Sequence, residues 1–251
     1  MTYLELVQQL ALETGTALTA EITDVSWPPA TSYGQSTEHL ARLANWIRRA
    51  WLDIQMDQPE WAFMIYRGTM PLVTGQWSYD IKTIVDDDLE LEEAPQRYDE
   101  IVPFTAQFDR PYVWVVNGAT EPGQHNFCYY QMEEQFFGQS DIRSGQTRGI
   151  PGRFTIDVNK YAVLDTAPPD DEYYLEFAYK AEPQVFSAAA DEPLRLPERF
   201  HDLIVYQAML YAAGFDETDK QFKRGQFLFR RMMNKLRMAQ LPEYSMPGTA
   251  T

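Results

Sequence analysis

The sequence is poor in the residues that most often carry chemistry. Its 251 residues include one cysteine, Cys128, and three scattered histidines, His39, His125 and His201. A single cysteine excludes an intrachain disulfide and a cysteine zinc cluster. No apolar run approaches the roughly 20 residues needed to cross a bilayer, so no membrane role is expected. The start, Met1-Thr2-Tyr3-Leu4-Glu5, has no basic n-region and carries an acid early, which argues against a secretory signal and for a reducing cytosol. There is no His-Glu-x-x-His, no Gly-x-Ser-x-Gly, no phosphate-binding loop ending in Lys-Ser/Thr and no Gly-x-Gly-x-x-Gly. The common hydrolase, nucleotide-binding and dinucleotide-binding signatures are therefore missing. No catalytic residue, metal ligand or cofactor is expected.

Positive charge is also scarce. Lys and Arg number 21 against 37 Asp and Glu, a formal charge of −16. Such a chain repels phosphate backbones and gains little from counterion release, so tight DNA binding is not expected. The charge is uneven. Residues 80 to 109 hold ten acids and two bases, whereas residues 220 to 238 hold seven bases and no acid. One acidic and one basic region suit pairing between copies or with a charged partner.

What is abundant is apolar and aromatic: 45% hydrophobic and 14% aromatic residues, a globular composition. Leu4, Val7, Leu10 and Ala11 recur at helical spacing and Gly15 stops them. Residues 16 to 35 read as a long loop. A second helix is expected to be capped near Ser36 or Thr37, with Leu40, Leu43, Ala44, Ile47, Trp51 and Ile54 on one face. Trp46 lies off that stripe, where an aromatic serves either a second buried face or an interface.

From Trp61 to about residue 185 the pattern changes to short β-prone runs. These are Phe63–Arg67, Gly75–Ile81, Tyr112–Asn117, Asn126–Met132, Arg153–Asp157, Tyr161–Leu164 and Tyr173–Lys180. Two helices follow. The first should start at Pro197, bury Phe200, Leu203, Ile204, Ala208 and Tyr211, and end at Gly214. The second should be capped by Asp216 and striped by Phe222, Phe229, Met233 and Leu236. The expected fold is α+β: terminal helices form a bundle that carries an inserted antiparallel β-sandwich or barrel-like domain. The boundaries are helices over 1–60, the β insert over 61–190, a helix pair over 191–239 and an extended tail over 240–251. Ile47, Trp51, Ile54, Trp61 and Phe63 are placed where bundle and insert join.

Three patterns deserve a chemical reading. His125 and Cys128 sketch a nucleophile pair, but residues three apart on a strand face opposite ways. A buried Cys128 with His125 in a turn is favoured. His201-Asp202 reads as a solvated first helical turn. The run Asp86-Asp87-Asp88, Glu90, Glu92, Glu93 offers the oxygen ligands calcium prefers, yet it lacks the glycine turn of an EF-hand and reads better as a solvated acidic loop.

A resemblance then emerges from ordered motifs. Trp46-Ile47-x-x-Ala50-x-x-x-Ile54-Gln55 leads into Trp61-x-Phe63-Met64. Ala167-Pro168-Pro169-Asp170 precedes Tyr173-x-Leu175-x-Phe177-x-Tyr179. Pro193-Leu194-Arg195-Leu196-Pro197 precedes Phe200-His201 and Tyr206-Gln207-Ala208. In this order they resemble the head-to-tail adaptor (connector) proteins of tailed bacteriophages, over most of the chain except 84 to 160. The resemblance implies a non-enzymatic virion protein at the head–tail interface. It implies a homo-oligomeric ring, commonly of twelve copies, that docks under the portal protein, extends the DNA channel and seats tail or nozzle proteins. Genomic DNA would pass the lumen without specific binding. The basic end of the last helix and the tail are the expected portal contacts: Arg230, Arg231, Lys235, Leu241, Tyr244 and Met246. Two readings from other classes stand beside it. One is a monomeric β-domain module binding carbohydrate or a receptor through exposed aromatics. The other is an enzyme using Asp170 or Asp171.

Overall fold

A computed structural model describes residues 1–15, 35–58, 61–81, 98–102, 112–118, 124–138 and 147–241. The expected loop at 16–35, apart from Gln35, and the acidic run at 86–93 lie outside these residues. The described chain is α+β and divides into two compact units. One comprises residues 1–64 and 183–251, the other 65–182.

The helical unit is built on one core. α1 (Tyr3–Thr14) opens with a capping box: Thr2 accepts from the Glu5 backbone, and Glu5 reaches back to the Thr2 backbone. It closes on Gly15 at φ 71°, a left-handed conformation that glycine adopts without a Cβ clash. Tyr3 and Leu6 are buried beside Val7, Leu10 and Ala11, while Leu4 is only half-buried. α2 spans Gln35–Met56, and Ser36 and Thr37 fall within it. All six residues of its expected stripe are buried.

After a 3-10 turn at Glu198–Phe200, α4 (Asp202–Phe215) and α5 (Asp219–Gln240) complete the unit. Here the expected ends are corrected. Gly214 lies inside α4, Asp216 is its C-cap, and Thr218 is the N-cap of α5. The α5 stripe holds except at its first residue, and Phe229 packs partly buried against the core. Met233 and Leu236 are buried, but Phe222 is exposed, and the buried residue one turn on from it is Gly225. A Cβ at Gly225 would stand 3.2 Å from Leu210 and 3.3 Å from Met209. The missing side chain lets α4 and α5 approach closely at this point.

The second unit is an eight-stranded sheet among the described residues. Its strands are β1 (Ile65–Pro71), β2 (Ser78–Asp80), β3 (Tyr98–Val102), β4 (Tyr112–Asn117), β5 (Gln124–Tyr130), β6 (Arg153–Ile156), β7 (Tyr161–Leu164) and β8 (Tyr173–Ala181). Seven follow the order β1-β8-β4-β5-β6-β7-β2, and β3 pairs with β8. β8 is the centre: β1 runs along one edge, and β4 and β3 share the other. Tyr173, Leu175, Phe177 and Tyr179 alternate into the core as their period of two requires.

The sheet is not wholly antiparallel. β5 and β6 pair in parallel. The connection between them carries the short helix α3 (Glu133–Phe137), and parallel neighbours need such a crossover. Phe63 belongs to a 3-10 turn at Ala62–Met64, ahead of β1, not to a strand.

Candidate functional site

The helical unit contains two features of functional interest: an aromatic and amide core beneath α2, and the outer face of α5. Tyr3 stacks on Phe186 at 4.8 Å, Phe186 on Trp51 at 6.1 Å, Trp51 on Phe63 at 5.8 Å and Phe63 on Trp61 at 5.5 Å. Burial pushes the Tyr3 phenol up to about 12, and its hydroxyl donates to the Ala44 carbonyl at 2.9 Å. Ile47, Trp51, Ile54, Trp61 and Phe63 are all fully or almost fully buried in this one core.

Gln55, adjacent to that column, is 2% exposed and fully engaged. Its amide donates to the Trp51 and Gln184 carbonyls at 3.2 and 3.0 Å and accepts from the Gln184 N–H at 2.7 Å. The Gln184 side chain returns the link, accepting from the Trp51 indole at 3.1 Å and from Leu194 N–H at 3.0 Å. The pair ties α2 to the returning chain without leaving a buried amide unpaired. The Ile54-Gln55 motif marked the position, but no sequence signal names Gln184 as its partner.

His201 overturns its expected solvated setting. It is 3% exposed. Its Nε2–H donates to the Leu196 carbonyl at 2.9 Å, and its Nδ1 accepts from the Met1 ammonium at 2.9 Å. An ammonium only donates and a carbonyl only accepts, so the partners assign a neutral ring with its proton on Nε2. Burial, together with the nearby ammonium, lowers its pKa below the ordinary 6.5. The residue sits where the 3-10 turn meets α4 and α1 packs against them, which no local pattern reveals.

The chemical pairs sketched from sequence are not assembled. Cys128 is fully buried and its thiol is pushed well above its usual range by burial. His125 lies in the same strand, not in a turn, and its Nε2 is 3.8 Å from the Glu176 carboxylate. Asp171 accepts from the Thr74 N–H and hydroxyl at 2.5 and 2.6 Å, bonds that hold its carboxyl below the usual range. Asp170 accepts from the Glu172 N–H. Both carboxylates are committed to loop geometry. Among the described residues no group of three or more His, Cys, Asp or Glu is placed to hold a metal ion, and no helix is long and apolar enough to cross a membrane.

The bases of α5 divide into two sets. Arg224 pairs with Glu13 at 2.8 Å, Arg237 with Asp57 at 2.8 Å, and Lys223 lies 4.0 Å from Asp219. Lys220, Arg230, Arg231 and Lys235 are exposed and make no ion pair among the described residues. Phe227 is 65% and Met238 85% exposed on the same helix. Outer α5 therefore offers uncompensated positive charge around two bare apolar side chains. Leu241 follows as the C-cap, its N–H bonded to the Arg237 carbonyl and its side chain partly buried against the helical core. Tyr244 and Met246 lie outside the described residues. Trp46 packs partly buried against the same core and meets Phe215 at 5.9 Å.

No curated protein matches the chain in sequence. A family match extends over residues 1–251, the whole chain, and its family is described as SU10 adaptor protein. The chain therefore belongs to the SU10 adaptor protein family of phage adaptors.

Proposed function

We propose that this adaptor is a structural, non-enzymatic component of the head–tail junction of a tailed phage. It assembles there as a ring, commonly of twelve copies, beneath the portal protein. The ring continues the DNA channel and seats tail or nozzle proteins, and it is put together in the host cytoplasm. The four long helices act as a bundle and the sheet as a barrel-like platform. The observation that carries this reading is the family match over residues 1–251. The charge of −16 is compatible with it, because a lumen of the same sign as the genome lets DNA slide without adhering. Arg230 and Arg231, which make no ion pair among the described residues, form the portal-facing contact in this proposal with the tail residues Tyr244 and Met246.

The test is electron microscopy of the protein mixed with its portal. A ring coaxial with the portal is the expected result. A portal that stays bare at saturating adaptor would reject the proposal.

A further inference from the structure

Beside α5, the helical unit has a groove of about 370 Å³ lined by Arg199, Phe200, Met232, Lys235 and Ala239. This volume is near the lower end of the roughly 300–1,000 Å³ typical of ligand sites. It suits a few peptide side chains. Phe200 is 4% exposed and supplies an apolar floor, with Met232 half-buried beside it. Two exposed cations, Arg199 and Lys235, stand at the groove. Arg199 lies over the Phe200 ring at 4.8 Å, and neither cation has an ion-pair partner among the described residues. Arg230 points elsewhere, since five residues on an α-helix turn it by about 140° from Lys235. The groove is thus a flank of α5 distinct from the side that presents Arg230.

We propose that this groove receives the acidic segment 86–93 of a second copy of the chain, joining neighbouring subunits head to tail. The argument is one of complementary chemistry. The segment reads Asp86-Asp87-Asp88-Leu89-Glu90-Leu91-Glu92-Glu93, six acids and two leucines with no base. Leu89 or Leu91 supplies what the floor of Phe200, Met232 and Ala239 lacks, and the flanking carboxylates answer Arg199 and Lys235. No other stretch of the sequence combines this density of acid with interleaved apolar residues. The C-terminal tail, 242–251, carries only Glu243. Groove and segment are different surfaces of one chain, so their contact is heterologous, and heterologous contacts close into rings when the rotation between copies permits. The inference rests on the ring reading above and supplies its subunit contact.

The pairs are solvent-exposed, so each contributes little and the contact is weak and salt-sensitive. A fluorescent peptide of residues 84–95, titrated with dilute full-length protein, should bind at low salt and release as salt rises. Arg199→Gln with Lys235→Gln should weaken that binding roughly tenfold, as should replacing Leu89 and Leu91 by Ser in the peptide, a change that cannot perturb folding. Binding that ignores both changes would overturn the assignment. Tighter peptide binding by a chain neutralised at Asp87, Glu90 and Glu92, under conditions where it is monomeric, would mean the groove is filled within one chain and would overturn the role of the second copy. On the portal, the groove variant and the acid-neutralised variant should each fail to form rings, and their mixture should yield pairs only. Normal rings from the groove variant would reject this contact and leave the ring standing. Peptide binding without any wild-type ring would reject the ring and leave the contact.

Discussion

The indole N–H of Trp61 donates to the Ile54 carbonyl at 2.9 Å, and Trp61 has no exposed surface. Ile54 is in the last turn of α2, and its carbonyl otherwise accepts only a long 3.3 Å bond from the Asp57 N–H. The tryptophan therefore caps the helix with its polar edge while its ring extends the aromatic column. Trp61→Ala should destabilise the protein by about 3–5 kcal/mol, because it removes both the packing and the cap. Trp61→Phe should cost less, keeping most of the packing but leaving the carbonyl without its indole donor. Denaturant midpoints of the two variants measure this, and equal, wild-type-like midpoints would contradict the burial.

Periodicity made much of the helical core readable. The α2 stripe from Leu40 to Ile54 is buried at all six positions, because an amphipathic helix with a single buried face leaves a pattern that depends only on its own residues. The alternation of β8 was readable for the same reason. What failed depends on partners distant in sequence. Phe222 belongs to the α5 stripe by spacing, yet it is 41% exposed near the start of the helix, while the closest approach of α5 to Met209 and Leu210 falls a turn later at Gly225. His201 followed a surface pattern but is buried against Met1 and Leu196, 200 and five residues away in sequence. β3, placed by its pairing with β8, has no local alternation and was missed. The α5 bases were readable as a group, but the pairing of Arg224 and Arg237, set against Lys235 with no ion pair among the described residues, requires the positions of Glu13 and Asp57.

Thr155 presents a different test. It is fully buried in β6, and its hydroxyl finds no hydrogen-bond partner among the described residues. Burying an unsatisfied hydroxyl costs free energy that an isosteric methyl does not. Thr155→Val should therefore raise stability by about 1 kcal/mol. A lower denaturant midpoint for this variant would show that the hydroxyl is hydrogen-bonded.

His201 predicts a pH dependence. Its pKa in the folded protein is lowered, so the unfolded chain binds more protons as the ring begins to titrate. Its contribution is present above the ordinary value of 6.5 and is lost as pH falls through 6.5 toward the lower folded value. A single proton gives a slope of at most about 1.4 kcal/mol per pH unit. His201→Gln, which can still donate to Leu196, should flatten the profile over this window. An unchanged slope in the variant would assign the acid sensitivity to other groups.

Assembly should depend on the portal. Each copy carries a charge of −16, and like-charge repulsion grows as copies gather. Light scattering of the isolated protein should show a monomer or a weak, salt-sensitive oligomer, with rings appearing only when portal is added. A stable free ring insensitive to salt would mean that the subunit contacts are far stronger than exposed ion pairs provide.

Leu241 is the last residue anchored to the helical unit before the tail. Because Leu241 packs against the helical core and its N–H closes on Arg237, a clean truncation starts after it and not at Gln240, the last residue of α5. Residues 242–251 contain Pro242, Pro247 and Gly248, a composition with little to bury, yet Tyr244 and Met246 provide two apolar anchors just beyond a basic helix. A segment of this kind can order on a partner and lose its conformational entropy only on docking. Deleting 242–251 should therefore leave the melting temperature unchanged and abolish attachment to the portal in a sedimentation assay. Tyr244→Ser with Met246→Ser should reproduce the loss without shortening the chain. If the truncated protein still co-sediments with portal at wild-type affinity, the anchor lies elsewhere, and Arg230→Glu with Arg231→Glu becomes the variant that must detach it.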